Sequence, residues 1–370
     1  MIEVRPVDDR PQLGRFIGFP YALYRGHPHW VPPLRLSEWE QFDPSRNPFW
    51  STADRQLFLA LEGGRVVGRI AAIDDHRHNE VRGENLAAFG FLEAVTGEAA
   101  SALLACVERW ARERGRTAVR GPLNPSLNHS GGLQVDGFDT DPCLMMPCNP
   151  PEYASYIEAA GYAKVQDLYA WLADLRQPLP LRIQRLAEQS ARRGRIVVRP
   201  MDFRIFTSEM EKVRAVYSSA WQRNWGFVAP TPEEFRHIAT DLKRIAAPDG
   251  VLLAEAGGVP VGCAVCLPDI NQVLKGTAGR LFPLGLARFL ARRWIISRMR
   301  LLLCGVTSQY RNTDVLVLLV HRIHQFASRA GYRSAELSWT LEHNVAVNRI
   351  LEQGLARRYK TYRLYQKMLR

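Results

Sequence analysis

Eight basic side chains and no acidic one lie between Ile270 and Thr313, the stretch of this sequence with the clearest chemical bias. They are Lys275, Arg280, Arg288, Arg292, Arg293, Arg298, Arg300 and Arg311. Residues 1–193 carry 22 Lys and Arg against 24 Asp and Glu, a net charge of −2, whereas residues 194–370 carry 27 against 13, a net charge of +14. A basic field this local indicates an anionic partner: a nucleotide phosphate, an acidic membrane surface or RNA.

Two further places hold candidate catalytic side chains. Asp269 follows a strand-like apolar run, and Asn128 and His129 lie in a loop from Gly121 to Ser130 that is rich in Gly, Pro and Asn. Each has a structural alternative, because Asp commonly closes a turn at a strand end and a polar loop can satisfy its own backbone. The sequence leaves these alternatives open.

Neither the cysteines nor the helical histidines have the spacing of a metal site. Cys263 and Cys266 lie in one strand-like apolar run, which is typical of buried reduced thiols, and His321 and His324 lie three residues apart on a predicted helix. The sequence therefore predicts no bound metal.

Length and composition are those of a globular protein without membrane spans. The 370 residues are 46% hydrophobic and 23% charged. No apolar run reaches the roughly 20 residues that a membrane helix needs, and the N-terminus lacks the pattern of a signal peptide. We expect a cytoplasmic protein, either free or peripheral on the inner face of the cytoplasmic membrane.

Similar motifs recur 194 residues apart, which indicates two copies of one domain. The sequence IEVRPVD at residues 2–8 returns as IVVRPMD at 196–202, and GGRVVG at 63–68 returns as GGVPVG at 257–262. A period this long is too great for a solenoid repeat. We place an N-terminal domain at residues 1–178, a linker at 179–194 and a C-terminal domain at 195–370.

Hydrophobic patterning predicts the same order of elements in both halves of the chain. The N-terminal half has a strand at 2–7, a hairpin about Gly63-Gly64, a strand at 85–94, a helix at 98–115 and a strand at 117–121. The C-terminal half has a strand at 196–200, a hairpin at 250–267, a strand at 300–307, a helix at 314–331, a strand at 334–339, a helix at 344–353 and a strand at 360–368. The sequence therefore predicts an α/β fold with a mixed sheet in each half.

This order of elements resembles the GNAT superfamily of acyltransferases and, because it covers both halves, a tandem GNAT protein. The resemblance implies that the pyrophosphate of acyl-CoA binds backbone N–H groups between the fourth strand and the next helix. The matching stretch is 306–315, where the residues implied at the cofactor are Val306, Gln309, Arg311, Asn312 and Thr313. Asp314 and Leu316 stand where the family usually has glycines.

The resemblance also implies that Asn344 lies near the thioester arm, because it matches a family asparagine at the end of the fifth strand. The family's frequent tyrosine seven residues further on, which can supply an acid for the thiolate, is Leu351 here. The N-terminal counterpart of the pyrophosphate loop, residues 93–98, has two acidic residues and no basic one. We therefore predict that acyl-CoA binds only to the C-terminal half.

Acylation of an amine needs a base, because an ammonium group cannot attack a thioester. No Glu lies on the predicted fourth strand of the C-terminal half, so Asp269 and His129 are the candidate bases. Aligning Gly115 with Gly331 places Asn128 on Asn344, which makes loop 121–130 the N-terminal equivalent of the active-site edge.

Residues 281–299 have the pattern of a basic amphipathic helix. Leu286, Leu290 and Trp294 share one stripe, and Arg288 and Arg292 share another. The pattern fits either a core helix with a solvated Arg face or an interfacial helix on an anionic membrane surface.

Together these features are similar to those of enzymes that acylate lipid amines, such as the bacterial ceramide synthases. The resemblance implies an acyl-CoA-dependent N-acyltransferase acting on a hydrophobic primary amine such as a sphingoid base. Two alternatives stay open: an aminoacyl-tRNA-dependent ligase, for which the basic half would be the RNA footprint, and a non-catalytic acyl-CoA-binding or membrane-associated pseudoenzyme. We expect no DNA partner, and the sequence leaves the acyl length, the amine and the oligomeric state open.

Overall fold

The computed structural model describes residues 1–369, which fold into two compact units. The first unit contains Met1–Tyr169, Leu274–Ala287 and the C-terminal segment from Lys360, and the second contains Ala170–Val273 and Arg288–Tyr359. The compact units therefore do not follow the two halves of the chain, since two segments of the C-terminal half belong to the first unit. The boundaries at 178 and 195 stay a prediction of where each copy of the repeat ends and begins.

Strands and helices alternate through the N-terminal half. The strands are β1 (Glu3–Pro6), β2 (Ala53–Glu62), β3 (Arg65–Asp75), β4 (Leu86–Ala94), β5 (Ala118–Gly121), β6 (Leu133–Asp136) and β7 (Ala163–Asp174). The helices are α1 (Arg10–Leu23), α2 (Arg35–Gln41), α3 (His76–Arg82), α4 (Gly97–Glu113) and α5 (Tyr153–Ala159).

The first unit is built on an antiparallel run of β1 to β4, and β4 then pairs in parallel with β5. Gly63 and Gly64 connect β2 to β3 with φ of 55° and 80°, a left-handed conformation that favours glycine. Helix α4 packs on this sheet through Leu103, Val107 and Trp110, which recur at helical spacing and are all buried.

The C-terminal half repeats this order. Its strands are β8 (Val197–Pro200), β9 (Val251–Ala256), β10 (Val259–Pro268), β11 (Arg298–Val306), β12 (Ser334–Leu341) and β13 (Arg357–Met368). Its helices, counted from the segment that follows β7, are α6 (Leu181–Arg193), α7 (Phe206–Trp221), α8 (Pro232–Lys243), α9 (Asn271–Leu274), α10 (Leu284–Leu290), α11 (Arg292–Ile295), α12 (Val315–Arg329) and α13 (Val345–Glu352).

The second unit repeats the sheet of the first. Each of the strands β8 to β11 pairs antiparallel with the next one along the chain, and β11 pairs in parallel with β12. Gly257 and Gly258 turn the chain from β9 to β10 with φ of 57° and 82°. Strand β13 lies in the sheet of the first unit, antiparallel to β5 and β6. The predicted α/β fold with a mixed sheet in each half is confirmed.

Both parallel strand pairs separate toward their carboxyl ends. In the first unit only residues 86–88 of β4 pair with 118–120 of β5, and in the second only 298–301 of β11 pair with 334–337 of β12. Strands β4, β11 and β12 continue beyond these residues without the parallel pairing. Each unit therefore has an opening between two parallel strands, the place where the GNAT resemblance puts the thioester arm.

Two predicted segments differ from the structure. The predicted linker at 179–194 contains helix α6, which Gly194 ends in a left-handed conformation with φ of 64°. The predicted single helix at 281–299 is two short helices, α10 and α11, and its last two residues already belong to β11. The reason lies in the sheet, because Met299 pairs with Pro268 of β10 and the strand takes residues that the amphipathic pattern assigned to a helix.

None of the helices within residues 1–369 combines the length and the apolar character needed to cross a bilayer.

Candidate active site

The predicted cofactor residues lie at the carboxyl edge of the second unit's sheet. Val306 ends β11, a 3-10 turn follows at Ser308–Tyr310, and α12 begins at Val315. Four of the predicted residues are exposed on this loop: Gln309, Arg311, Asn312 and Thr313. Asn344 precedes α13, just after β12 ends. Because β11 and β12 are parallel, the structure brings all six residues to the same edge.

The start of α12 is suited to an anion. Its N-cap residue, Asp314, makes no side-chain hydrogen bond to the helix backbone. The first N–H groups of a helix have no intrahelical acceptor, so such an end attracts phosphate. Asp314, which stands where the family usually has a glycine, adds a negative charge at this helix start. Nη1 of Arg193 lies 3.4 Å from its carboxylate and offsets part of that charge.

Arg311 anchors the same loop to α7. Its Nη2 donates to the carbonyl oxygen of Ala220 at 2.8 Å, near the end of that helix. A guanidinium has five N–H donors, so this bond leaves others for a phosphate.

Replacing Arg311 with Glu is expected to weaken CoA binding roughly tenfold to a hundredfold, because one charge-assisted contact is lost while backbone donors remain. Isothermal titration with CoA measures the change. The matched control is Glu98→Lys in the first turn of α4, which reverses a charge at the equivalent place of the N-terminal half. Equal effects of the two substitutions would show that the cofactor has been placed wrongly.

The helix start in the N-terminal half is already occupied by protein groups. The Thr96 hydroxyl accepts from the N–H of Ala99 at 3.2 Å, and Glu98 adds a negative charge to the first turn of α4. Tyr156 covers Gly97 so closely that an added Cβ would lie 3.0 Å from its ring. These contacts agree with the prediction that acyl-CoA binds only to the C-terminal half.

The opening between β4 and β5 is also filled by the protein's own chain. Leu123 donates its N–H to the Phe89 carbonyl at 2.8 Å, and the Asn124 side chain accepts from the N–H of Phe91 at 2.7 Å. A Cβ on Gly90 would lie 1.7 Å from the Leu123 carbonyl oxygen, so this contact requires glycine. The segment after β5 therefore lies in the space that a thioester arm would need.

Asn128 and His129 lie further along that segment and form a turn around Ser126. The Ser126 hydroxyl lies 2.9 Å from Nδ1 of His129 and accepts from the N–H of Asn128 at 3.2 Å. The His129 ring also packs edge-on against Phe49 at 5.5 Å. The geometry favours the structural alternative for this loop, and a catalytic role for either residue stays a prediction.

Asp269 is fully buried at the opposite end of β11 from the cofactor loop. Its carboxylate lies 2.7 Å from Arg298, whose backbone carbonyl accepts from the N–H of Asp269. Arg298 begins β11 and Val306 ends it, about 26 Å away at a rise of about 3.3 Å per residue. A second buried pair, Arg300 with Glu336, lies next along the strands. This geometry favours a structural ion pair over the predicted role of Asp269 as a base.

Sequence reasoning missed a buried carboxyl group on β4 of the first unit. Glu93, at the boundary between the predicted strand at 85–94 and the predicted loop at 93–98, lies inside β4 with its side chain 13% exposed. The hydroxyl groups of Tyr24 and Tyr153 both donate to it, and Arg69 lies 4.0 Å away. Burial raises the pKa of Glu93 to about 7, against the opposing effects of Arg69 and the two hydroxyls. A Glu within an otherwise apolar strand was the signal in the sequence.

In the first unit, three charged or titratable side chains from distant parts of the chain meet at one carboxylate. Nδ1 of His29 lies 2.8 Å from Oδ1 of Asp141, and Nζ of Lys275 lies 2.7 and 2.6 Å from the two oxygens of the same carboxylate. Lys360 is fully buried and donates to the carbonyls of Gly137 and Thr140, which fixes the loop that carries Asp141. Only the His27-Pro28-His29 spacing hinted at this site.

Cys148 is a free and partly buried cysteine of the first unit. Burial raises the pKa of its thiol to about 11, and the charges of Lys360, Glu93 and Asp141 all act on it. The thiol is therefore a poor nucleophile at neutral pH.

The cysteines of β10 and the histidines of α12 have the following surroundings in the structure. Cys263 and Cys266 are buried, and burial raises the pKa of both thiols well above the usual range. His324 lies 3.1 Å from the carbonyl oxygen of Gln177. Among residues 1–369, no group of three or more His, Cys, Asp or Glu side chains could hold a metal ion.

Two proteins are similar to this chain over its whole length. Protein YghO of Escherichia coli K12 is 34% identical over 375 residues, which cover 99% of this chain and 95% of YghO. A protein of Caulobacter vibrioides named bacterial ceramide synthase is 35% identical over 376 residues, which cover 100% of this chain and 98% of that protein. No protein-family model matches the chain.

Solved structures share the fold at much lower identity. A tandem GNAT protein from the clavulanic acid biosynthesis pathway has a TM-score of 0.57 at 14% identity, over 100% of this chain and 99% of that protein. A GCN5-related N-acetyltransferase from Sphaerobacter thermophilus has a TM-score of 0.55 at 13% identity, over 100% of this chain and 96% of that enzyme. At such identities the likeness concerns the fold alone.

Proposed function

Since this chain belongs to the family of tandem GNAT N-acyltransferases that includes the bacterial ceramide synthase of Caulobacter vibrioides, we propose that it transfers a long acyl group from acyl-CoA to a lipid amine such as a sphingoid base. The enzyme class is N-acyltransferase, and acyl-CoA is the co-substrate that the GNAT fold implies. The similarity to the ceramide synthase, which extends over both halves of the chain, carries the proposal.

The exposed apolar side chains of segment 281–294 support a lipid substrate. Five large apolar residues in this short stretch face solvent: Leu281, Phe282, Leu284, Leu290 and Trp294. Phe282 is 74% exposed and Trp294 is 72% exposed, although burying such a side chain stabilises a protein by about 1.5–3 kcal/mol. Exposed apolar side chains this frequent in one short stretch of sequence mark a segment that meets a partner, and a lipid bilayer or the chain of a lipid amine fits their chemistry.

Basic side chains next to these residues favour an anionic membrane surface as the place where the lipid is taken up. Arg292 and Arg293 are exposed, and their guanidinium groups lie over the rings of Phe289 and Trp294 at 4.6 and 3.9 Å. Arg288, which the pattern placed on the same basic face, instead donates to the carbonyls of Val273 and Gln272 at 2.8 and 2.9 Å. We therefore assign the headgroup contact to Arg292 and Arg293.

Expression in a bacterial host fed a sphingoid base tests the proposal in cells. Mass spectrometry of the extracted lipids should reveal an N-acylated base that is absent from a host carrying the empty vector. If the amide does not appear although the protein is folded and CoA-competent, the lipid-amine proposal fails. If the protein instead binds tRNA with an affinity that falls steeply as salt is raised, the ligase alternative replaces it.

A further inference from the structure

We propose that the basic end of helix α6 in the second unit binds the 3′-phosphate of CoA and so selects CoA as the acyl carrier. The inference rests on the proposed function, because it takes acyl-CoA as the co-substrate and adds residues that recognise one of its groups. These residues are Arg192 and Arg193 in the last turn of α6 and Arg195 just beyond it, and all three are exposed. They lie outside the loop that the GNAT resemblance assigns to the pyrophosphate.

Two contacts show that α6 runs antiparallel to α12, the helix that follows the cofactor loop of the same unit. Ahead of α6, the carbonyl oxygen of Gln177 lies 3.1 Å from Nε2 of His324, within α12. At the other end of α6, Nη1 of Arg193 lies 3.4 Å from the carboxylate of Asp314, the N-cap residue of α12. The basic end of α6 therefore lies beside the start of α12, where the resemblance places the pyrophosphate.

The fold holds this end of α6 in place without a ligand. Helix α6 packs against α12, and its buried residues are Ala187 and Ser190. Gly194 ends the helix with φ of 64°, and its N–H donates to the carbonyl oxygen of Ala191. The backbone that carries the three arginines is thus ordered before binding, which lowers the entropy cost of taking up a ligand.

The charges at this end of the helix suit a phosphate. Residues 181–195 contain five Arg and one Glu, and three of these Arg fall within the last four positions. Asp314 takes one contact from Arg193, but a guanidinium has five N–H donors, so Arg193 keeps others for a ligand. Arginine also binds phosphate oxygens in pairs, which makes it well suited to this group.

CoA carries a phosphate that can reach these arginines. The ribose that holds the pyrophosphate on its 5′ oxygen holds a phosphate monoester on its 3′ oxygen, with a charge of about −2 at pH 7. A pyrophosphate at the first N–H groups of α12 therefore places this second phosphate only one sugar away. The pantetheine arm leaves the pyrophosphate on the other side, toward the opening between β11 and β12.

The three arginines also have a structural alternative. Cations at the C-terminal end of a helix stabilise it, because they offset the negative end of the helix dipole. A residue with only this role changes the stability of the protein. It does not change the preference between two ligands that differ by a single phosphate, so that preference separates the two roles.

The test compares CoA with dephospho-CoA, which lacks only the 3′-phosphate, by isothermal titration into the purified protein. We expect the wild type to bind CoA about 10- to 100-fold more tightly than dephospho-CoA. Arg193→Gln with Arg195→Gln should reduce this preference to about threefold or less, because the charge-assisted contacts are lost. The preference of the wild type should also shrink as salt is raised, since the arginines are exposed.

Arg182→Gln with Arg185→Gln is the matched control, because it removes two exposed charges from the other end of α6. This pair should leave the preference within about twofold of wild type, since distant exposed charges are screened. The inference is overturned if the wild type binds both ligands equally, or if the Arg193/Arg195 variant keeps the preference.

An equal loss in both double variants would also overturn the inference, because it would indicate a general basic surface of the kind that RNA binds. Circular dichroism establishes that the variants are folded, and the wild-type comparison does not depend on any variant. If the wild type binds neither CoA nor dephospho-CoA, the inference falls together with the proposed function. If CoA binds without the preference, only the inference falls.

Discussion

Replacing Leu290 and Trp294 together with Glu is expected to abolish acylation of long-chain amines while the protein stays folded and binds CoA. The two side chains are 66% and 72% exposed, so they add little to the core and their loss should not unfold the protein. If they enter a bilayer or hold the substrate chain, the substitution removes about 3–6 kcal/mol of apolar burial. That change corresponds to at least about a hundredfold loss of rate on a long-chain amine.

The control for this pair is Ile205→Glu with Val259→Glu, two exposed apolar residues of the second unit that lie outside segment 281–294. The control should keep full activity on sphinganine and full binding to vesicles that contain an anionic lipid. Circular dichroism and CoA titration establish folding in both double variants. If the Leu290/Trp294 variant is unfolded, the segment is part of the core. If the variant is folded and fully active, the main physical support for a lipid substrate is lost.

Replacing Asp269 with Ala is expected to lower the free energy of unfolding by about 3–5 kcal/mol, because it removes the carboxylate from a buried ion pair with Arg298. Asp174→Ala is the control, since Asp174 is 39% exposed and pairs with an exposed Arg176, and it should leave the free energy of unfolding nearly unchanged. Urea unfolding followed by fluorescence measures both values.

A double variant decides between the structural role and the predicted catalytic role of Asp269. Asp269→Leu with Arg298→Met replaces both charges by apolar groups of similar size, so it should recover much of the lost stability. If the pair is only structural, this variant also keeps amine acylation near the wild-type rate. A stable double variant without activity would restore Asp269 as a base.

The order of strands and helices could be predicted because it depends on local pattern. The hairpins at Gly63-Gly64 and Gly257-Gly258 and the helix that starts after Val306 follow from turn glycines and apolar spacing, and the structure has them within a few residues. The helix predicted over 281–299 failed because distant contacts decide it. Ser297 and Arg298 donate their N–H groups to the Gln272 side chain, and Met299 pairs with Pro268.

In the candidate site, the cofactor loop could be predicted from the sequence, but the groups that depend on contacts between distant residues could not. The cofactor loop is one continuous stretch, so a family resemblance could place Val306 to Thr313. The group around Asp141 cannot be read from neighbours, because His29 is 112 residues away along the chain and Lys275 is 134 residues away. Glu93 belongs to both the predicted strand at 85–94 and the predicted loop at 93–98, and its burial could not be read from the sequence, because hydroxyl groups from two distant tyrosines satisfy it inside the sheet.

The central claim is that this protein joins the acyl group of acyl-CoA to a lipid amine. Incubation of the purified protein with palmitoyl-CoA and sphinganine measures this directly, with thiol release followed by a colour reagent and the lipid products by mass spectrometry. The account predicts that N-palmitoylsphinganine and free CoA thiol appear in equal amounts. Thiol release without any amide, or no turnover with sphinganine when a small water-soluble amine is acylated readily, would contradict it.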